Sequence, residues 1–373
     1  MIKNKRLIIF ANTLWFLENF KFDLINKLSE SANIDCLYIR KGPEIDQKKI
    51  ILLKKKGVIF KRISLLIFLQ IFRETIFRKF NQSNKIDNII VFTIGPIIIS
   101  YFLFYPLHKS IIIVIEGLGR IFSSNLIYFK IIKKFVILFY KDFFRKCKYV
   151  VTLNYCDSTY LGETGIVEIN KIRTIPGTGI NINQFNFSDY VFEYQPKYID
   201  YVARLVPDKG FYVFLNTFRY LKKYHYDFSI KFPFRIITPR SDIDKISYKD
   251  KRFLMNLGIV ICPYIVNQME YYRESKAIIL PTKYGEGLSR VAMEAIYLNI
   301  PLLTSQNQGI DQLLPYNYKY FLDSFNPSRV AYQLINLLSD DDYVNNIYKN
   351  QRKFIEQYYS INSSINAFIL LLN

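Results

Sequence analysis

The chain has 373 residues, half of them hydrophobic, with 51 Lys and Arg against 31 Asp and Glu for a formal net charge of +20. That length exceeds one small core and fits two domains. Cys36, Cys147, Cys156 and Cys262 are scattered without a Cys-x-x-Cys pair, which argues against a disulfide framework or a zinc site and for reduced thiols in the cytoplasm. His108 and His225 are the only histidines, so a histidine triad or histidine-rich metal site is excluded and each reads as structural. Residues 1–190 hold 29 basic against 14 acidic residues and the remainder 22 against 17, so the first half faces something negative: nucleic acid, anionic lipid or a phosphorylated substrate. Compositional drift toward Ile, Lys and Asn is the competing origin of that excess.

In chain order, the apolar run 7–10 reads as a first buried strand rather than a signal peptide, since it is short and Glu18 follows without a cleavage site. A loop at 11–15, a helix at 17–28, a strand at 34–39, a helix at 47–56 and a strand at 58–63 continue a βα alternation. Two basic, aromatic helices follow, 65–80 and 126–148. Each fits either a membrane interface or a core-packing helix with a solvated basic face, and interface contact by at least one is favoured by the charge bias. Residues 88–108 carry no Asp, Glu, Lys or Arg, but Gly95-Pro96 interrupts them, so a strand, a turn and a helix at 97–107 are expected, with no membrane span.

Strands at 111–115, 149–153 and 172–175 lead into Glu116-Gly-Leu-Gly-Arg120, Asn154 and Pro176-Gly-Thr-Gly179. In open α/β sheets ligands bind at such carboxyl ends. An irregular stretch at 181–196 reads as a linker. A second α/β series follows, with strands at 198–203, 228–237, 258–261, 277–280 and 301–304 and one or two helices after Asp341. Two α/β halves about a hinge imply a cleft.

Two stretches carry chemistry. In Pro281-Thr-Lys-Tyr-Gly-Glu-Gly-Leu-Ser-Arg-Val-Ala-Met-Glu294, a strand ends at Pro281, a glycine-flanked turn follows, and helical spacing resumes at Leu288. Continuous helical geometry would put Glu286 and Glu294 roughly 12 Å apart along the axis and ~80° apart around it. A glycosidase pair needs about 5–10 Å, so this spacing suits two contacts on one long ligand, with helix-start amides between them for an anion. An amphipathic helix with two solvated glutamates is the plainer alternative. In Arg204-Leu-Val-Pro-Asp-Lys-Gly210, Arg204 and Lys209 lie in a strand-to-helix loop and make a diphosphate site; a solvated loop is the commoner meaning of such a motif alone. Neither a Walker loop nor a Gly-x-Gly-x-x-Gly is present.

Together, Arg204, Lys209, Glu286 and Glu294 resemble the donor half of family 4 glycosyltransferases of the GT-B fold. Tyr-Val-Ala-Arg-Leu-Val-Pro-Asp-Lys-Gly is similar to that family's Gly-Arg-Leu-x-x-x-Lys-Gly segment, and Glu286 to Glu294 matches its Glu-x7-Glu signature. Pro281, Asn299-Ile-Pro301 and Gly309 match flanking positions. Asn12-Thr-Leu-Trp-Phe, Gly117-Leu-Gly-Arg-Ile-Phe and Asn154 are similar to the subgroup that builds bacterial surface polysaccharides on lipid carriers. Ala203 and Asn299 stand where glycine is usual, and Ser289 where proline often is.

The resemblance implies two Rossmann-like domains facing across a cleft: residues 1–185 binding acceptor and 186–373 binding the nucleotide sugar, with the last helix free to pack back on the first domain. It implies retaining transfer of a hexose or N-acetylhexosamine from a UDP-sugar to a lipid-diphosphate-linked saccharide in capsule or O-antigen synthesis, on the inner face of the plasma membrane. Arg204 and Lys209 would neutralise the leaving diphosphate. Glu294 would accept from the ribose hydroxyls, and Glu286 with the amides of Gly287 and Leu288 would hold sugar and phosphate. Gly117, Gly119, Arg120, Asn154 and Asn12 would bind substrate from the other domain. No metal or other cofactor is expected. Asp242-Ile-Asp244 and Asp340-Asp-Asp342 match an Asp-x-Asp pattern in letters only, and Ser339-Asp340 reads as a helix cap. A nucleotide-sugar epimerase of the same fold is the alternative enzyme. A nucleic-acid binder is suggested by charge alone, with no recognition motif.

Overall fold

The computed structural model describes residues 5–42, 45–78, 86–119, 122, 127–185, 196–264, 269–283, 287–307 and 309–372. It divides into two compact units. One comprises Met1–Gly179, Glu286–Leu288 and Ile361–Asn373, and the other Ile180–Gly285 and Ser289–Ser360. The division after Gly179 falls a few residues ahead of the expected 185, because Ile180 pairs with Ser360 and its amide donates to the Tyr359 carbonyl within the second unit.

In the first unit, strands β1 (Lys5–Thr13), β2 (Ala32–Arg40), β3 (Ile59–Arg62), β4 (Asn88–Phe92), β5 (Ile111–Ile115), β6 (Tyr149–Thr152) and β7 (Ile172–Thr174) form one parallel sheet in the order 3-2-1-4-5-6-7. Such strands are covered on both faces, which is why β4 and β5 are continuous apolar runs. Alternate residues serve opposite layers: Leu7 and Ile9 join one apolar cluster, Ile8 and Phe10 the other. The last helix, Ile361–Leu372, belongs to this unit. Lys5 Nζ donates to the Leu372 carbonyl at 2.7 Å, and Phe368 packs against Phe92.

The second unit holds β8 (Tyr198–Val202), β9 (Phe234–Thr238), β10 (Val260–Pro263), β11 (Ser275–Leu280) and β12 (Leu302–Thr304), parallel in the order 10-9-8-11-12. Its sheet carries a buried ion pair. Arg235 donates to both carboxylate oxygens of Asp200, at 2.8 and 2.9 Å, and to Glu274 at 2.7 Å, tying β9 to β8 and to the start of β11.

Four element assignments change. The loop expected over 11–15 is absent, because β1 runs to Thr13 and the Thr13 hydroxyl caps a helix that starts at Leu14. The helix expected over 17–28 is two, Leu14–Phe20 and Phe22–Leu28, broken at Lys21, whose side chain turns inward. Gly95 and Pro96 lie in the first turn of the helix Ile94–Leu103, where proline's missing N–H costs nothing. The strand expected over 228–237 begins only at Phe234. Residues before Pro233 form the helix Tyr226–Lys231, whose Phe228 meets Phe232 just past its end. Among the described residues no helix is long and apolar enough to cross a membrane.

Candidate active site

In each sheet the strand order reverses beside the first strand, and in open α/β sheets ligands bind at the carboxyl ends beside such a reversal. In the second unit the reversal lies between β8 and β11, the strands that precede the two chemical motifs. The loops are locked together. Gly210, at φ +75°, sits so close to Pro281 that a Cβ would lie 2.0 Å from its carbonyl oxygen, a place only glycine can occupy. The Lys283 amide donates to the Asp208 carbonyl at 2.8 Å. Arg204 stands at the surface, 61% exposed, with Nε 3.5 Å from Asp242, a nearly buried carboxylate that also accepts the Leu205 amide at 3.1 Å. Lys209 is half-buried in the short turn Pro207–Lys209.

Glu294 lies in the helix Arg290–Tyr297, 3% exposed. Its Oε2 accepts from Tyr272 at 2.6 Å and its Oε1 from Arg290 at 2.8 Å. A carboxylate has about four acceptor positions, and these two bonds among the described residues fill two of them. Burial, and next the Glu294 charge, push the Tyr272 hydroxyl well above its ordinary pKa, so it stays a donor. The helix starts later than expected. Ser289 is extended and caps it, accepting from the Ala292 amide, so residues 287–289 are not helical and the continuous-helix spacing does not apply. Glu286 lies outside the described residues. Asn299, where glycine is usual, has φ +61°, which asparagine tolerates better than most residues.

Gly287 and Leu288 group with the first unit, where Gly117, Asn154 and Gly287 come together. A Cβ on Gly287 would lie 2.1 Å from the Glu116 carbonyl oxygen and 3.2 Å from the Gly117 nitrogen. Asn154 Nδ2 donates to the Gly287 carbonyl at 2.8 Å and to Asp157 Oδ2 at 2.8 Å, while its Oδ1 accepts the Asp157 amide at 2.7 Å. Leu288 packs its side chain into the first unit's core against Gly177. Gly117 and Gly119 have φ of +138° and +69°, so this loop's path depends on glycine. Arg120 lies outside the described residues. Asn12 is exposed near the end of β1, beside the first unit's own strand reversal between β1 and β4. There Thr93 has φ +69° and ψ 154°, a region nearly reserved for glycine, and its buried hydroxyl has no partner among the described residues.

Charges lie beneath this edge. Lys21, 1% exposed, meets Glu116 at 2.7 Å and sits 4.5 Å over the Phe92 ring. Burial pushes its pKa down, opposed by Glu116. Asp157 is fully buried, and burial raises its carboxyl to about 6, against the pull of hydrogen bonds from Asn154 and the Leu118 amide.

Sequence reasoning missed Asp157, Asp242 and Tyr272 as supports of the site. Asn154-x-x-Asp157 is a readable capping pattern. Asp242 was weighed only as a metal ligand, and Tyr272 gave no signal.

The two Rossmann-like sheets define a GT-B fold, and solved glycosyltransferases share it. A glycosyltransferase of Rickettsia africae superimposes with TM-score 0.72 at 15% identity, over 99% of this chain and 98% of its own. HepE of Anabaena, solved with UDP and glucose, gives 0.72 at 12%, over 98% of each chain. A TarM variant of S. aureus, solved with fondaparinux, α-GlcNAc-glycerol and UDP, gives 0.66 at 14%, over 99% and 100%. Residues 183–354 match the family model for glycosyl transferases group 1. The capsular polysaccharide biosynthesis glycosyltransferase CapM of Staphylococcus aureus is 25% identical over 164 residues. That alignment spans 43% of this chain and 42% of CapM.

Proposed function

We propose that this chain is a retaining, family 4 glycosyltransferase that moves a hexose or N-acetylhexosamine from a UDP-sugar to a lipid-linked saccharide in surface-polysaccharide synthesis. The observation that carries the reading is the locking of the loop 204–210 onto 281–283 where the strand order reverses. It sets the loop that carries an exposed guanidinium and a half-buried lysine against the start of the stretch that leads to Glu294. The group 1 match over this segment supports it, as do the UDP complexes of HepE and TarM and the capsular role of CapM.

In this reading the bond between the sugar's anomeric carbon and the β-phosphate oxygen breaks. A bond from that carbon to the acceptor oxygen forms on the same face, and the acceptor's proton passes to the departing phosphate. Arg204 and Lys209 meet the charge that develops on the diphosphate. Glu294, braced by Tyr272 and Arg290, accepts from the ribose hydroxyls. Glu286 and the amides of Gly287 and Leu288 hold the sugar; Gly117, Gly119, Arg120 and Asn12 bind the acceptor side, and Asn154, whose amide is taken up by Gly287 and Asp157, acts through Gly287. The cations supply the countercharge, so the step calls for no metal.

The test is proton NMR of the product formed from a UDP-sugar and a lipid-diphosphate-linked acceptor. A new glycosidic bond with the donor's anomeric configuration is expected. An inverted product overturns the mechanism, and a donor converted with no acceptor present overturns transfer in favour of epimerisation.

A further inference from the structure

The helix Ile127–Lys146 is apolar on two sides. Its inner side is ordinary: Tyr140, Phe143 and Phe144 are buried in the cluster beneath the sheet, with Val136 against it. At roughly 100° per residue, Ile127, Ile131, Phe135 and Leu138 fall within roughly 80° of one another, nearly opposite that core side. They face solvent: Ile127 is 72% exposed, Phe135 69% and Leu138 66%. Lys130, Lys134 and Lys141 border this stripe along one edge.

Two neighbouring helices share the pattern. Ile97 of the helix Ile94–Leu103 and Phe68 and Phe72 of the helix Leu65–Arg78 point into the same cluster. Ile94, Ile98 and Phe102, one turn apart, and Leu65, Leu66 and Leu69 are exposed. The three helices touch. Tyr101 packs on Phe139 and Phe143 with ring centroids 5.2 Å apart, and the Thr75 hydroxyl donates to the Leu103 carbonyl at 3.2 Å. Their inward residues share one cluster, so their outward stripes face away from the same side of the sheet.

We propose that this face docks on the surface of a lipid bilayer containing anionic headgroups, with Phe135 and Leu138 at the acyl boundary and Lys130 and Lys134 in the headgroups. Charge decides the occupant. An apolar stripe edged by lysines, on the half of the chain that carries most of the positive charge, complements an anionic interface. A second copy placed symmetrically on the same face would set these lysines against each other.

The proposal goes beyond the transfer reading and is measured without donor or acceptor, so either can fail alone. Cosedimentation of the full chain with phosphatidylcholine vesicles, with or without phosphatidylglycerol as the anionic lipid, is the experiment. Binding to the anionic vesicles should weaken about tenfold or more in Phe135→Ser/Leu138→Ser. It should also weaken in Lys130→Glu/Lys134→Glu, and stay unchanged in Leu370→Ser, an exposed leucine on another helix. Circular dichroism of each variant guards against misfolding. Equal binding by all variants, or no preference for anionic vesicles, overturns the proposal. So does a wild-type dimer that the Phe135/Leu138 variant converts to monomer without vesicles.

Discussion

At the carboxyl ends of β8 and β11, the charge stands at the surface and its support lies below. Arg204 is largely exposed, with a buried Asp242 behind it. At the carboxyl ends of β5 and β6 the order is inverted. The edge is the backbone around half-buried Gly117, and fully buried Asn154 spends its amide on Gly287 and Asp157, while Lys21, Glu116 and Asp157 form the layer beneath. The difference has a physical reading. An exposed cation oriented by a buried carboxylate can meet a diphosphate at the surface, whereas ions under a neutral edge fix loop positions and leave backbone groups to the ligand. The first arrangement suits a charged donor, the second an acceptor's hydroxyls.

The comparison is broken most sharply at its exposed cation. Arg204→Ala should lower kcat/KM about a hundred- to a thousandfold, as loss of one donor to a developing anion does, with the melting temperature unchanged. Steady-state release of nucleotide checks it. At the other edge the main effect should fall on stability. Lys21→Ala leaves Glu116 without its cation and should cost about 3 kcal/mol, the low end for broken buried pairs because Glu116 keeps 26% exposure. Urea denaturation reads that loss.

Asp157 gives the comparison a pH axis. Its native carboxyl is raised to about 6, above its unfolded value, so the folded chain binds the extra proton between roughly pH 4 and 6. Stability therefore rises as pH falls through that window and is lost as pH rises through it, by on the order of 3 kcal/mol. Asp157→Asn should flatten the slope in denaturation curves taken at several pH values. The smallest effect is at Thr93, where glycine would relieve the positive φ. Thr93→Gly should stabilise by about 1 kcal/mol, and an unchanged or lower stability would show that the strain is absent.

The second unit's site was legible because its chemistry is local. Arg204 and Lys209 lie within one loop, and Glu294 follows a strand and a turn that can be read by eye. The strand order that locks the loops together is non-local, so the Gly210–Pro281 contact was invisible although both residues had been singled out. The first unit shows the reverse. Gly117 and Asn154 were found as residues at strand ends, but what holds them comes from far along the chain: Lys21 reaches Glu116, and Asn154 reaches Gly287. Lys21 itself misled the helix assignment, since a lysine in an amphipathic pattern reads as solvated until a carboxylate from far along the chain, Glu116, claims it. Alternating apolar residues at 228–232 misled the strand assignment for the same reason. The pattern is local, and the proline that limits it acts only once the sheet is built.

The central claim is that the 204–210 and 281–294 stretches grip a nucleotide sugar. The most direct measurement is nucleotide release across a panel of UDP-, GDP- and ADP-sugars, with lipid-linked acceptor present, for the wild-type chain, Arg204→Ala and Glu294→Ala. The account predicts release of UDP by the wild-type chain, nearly abolished in Arg204→Ala and strongly reduced, with a raised donor KM, in Glu294→Ala. Release from no sugar nucleotide, or release unaffected by both substitutions, would contradict it.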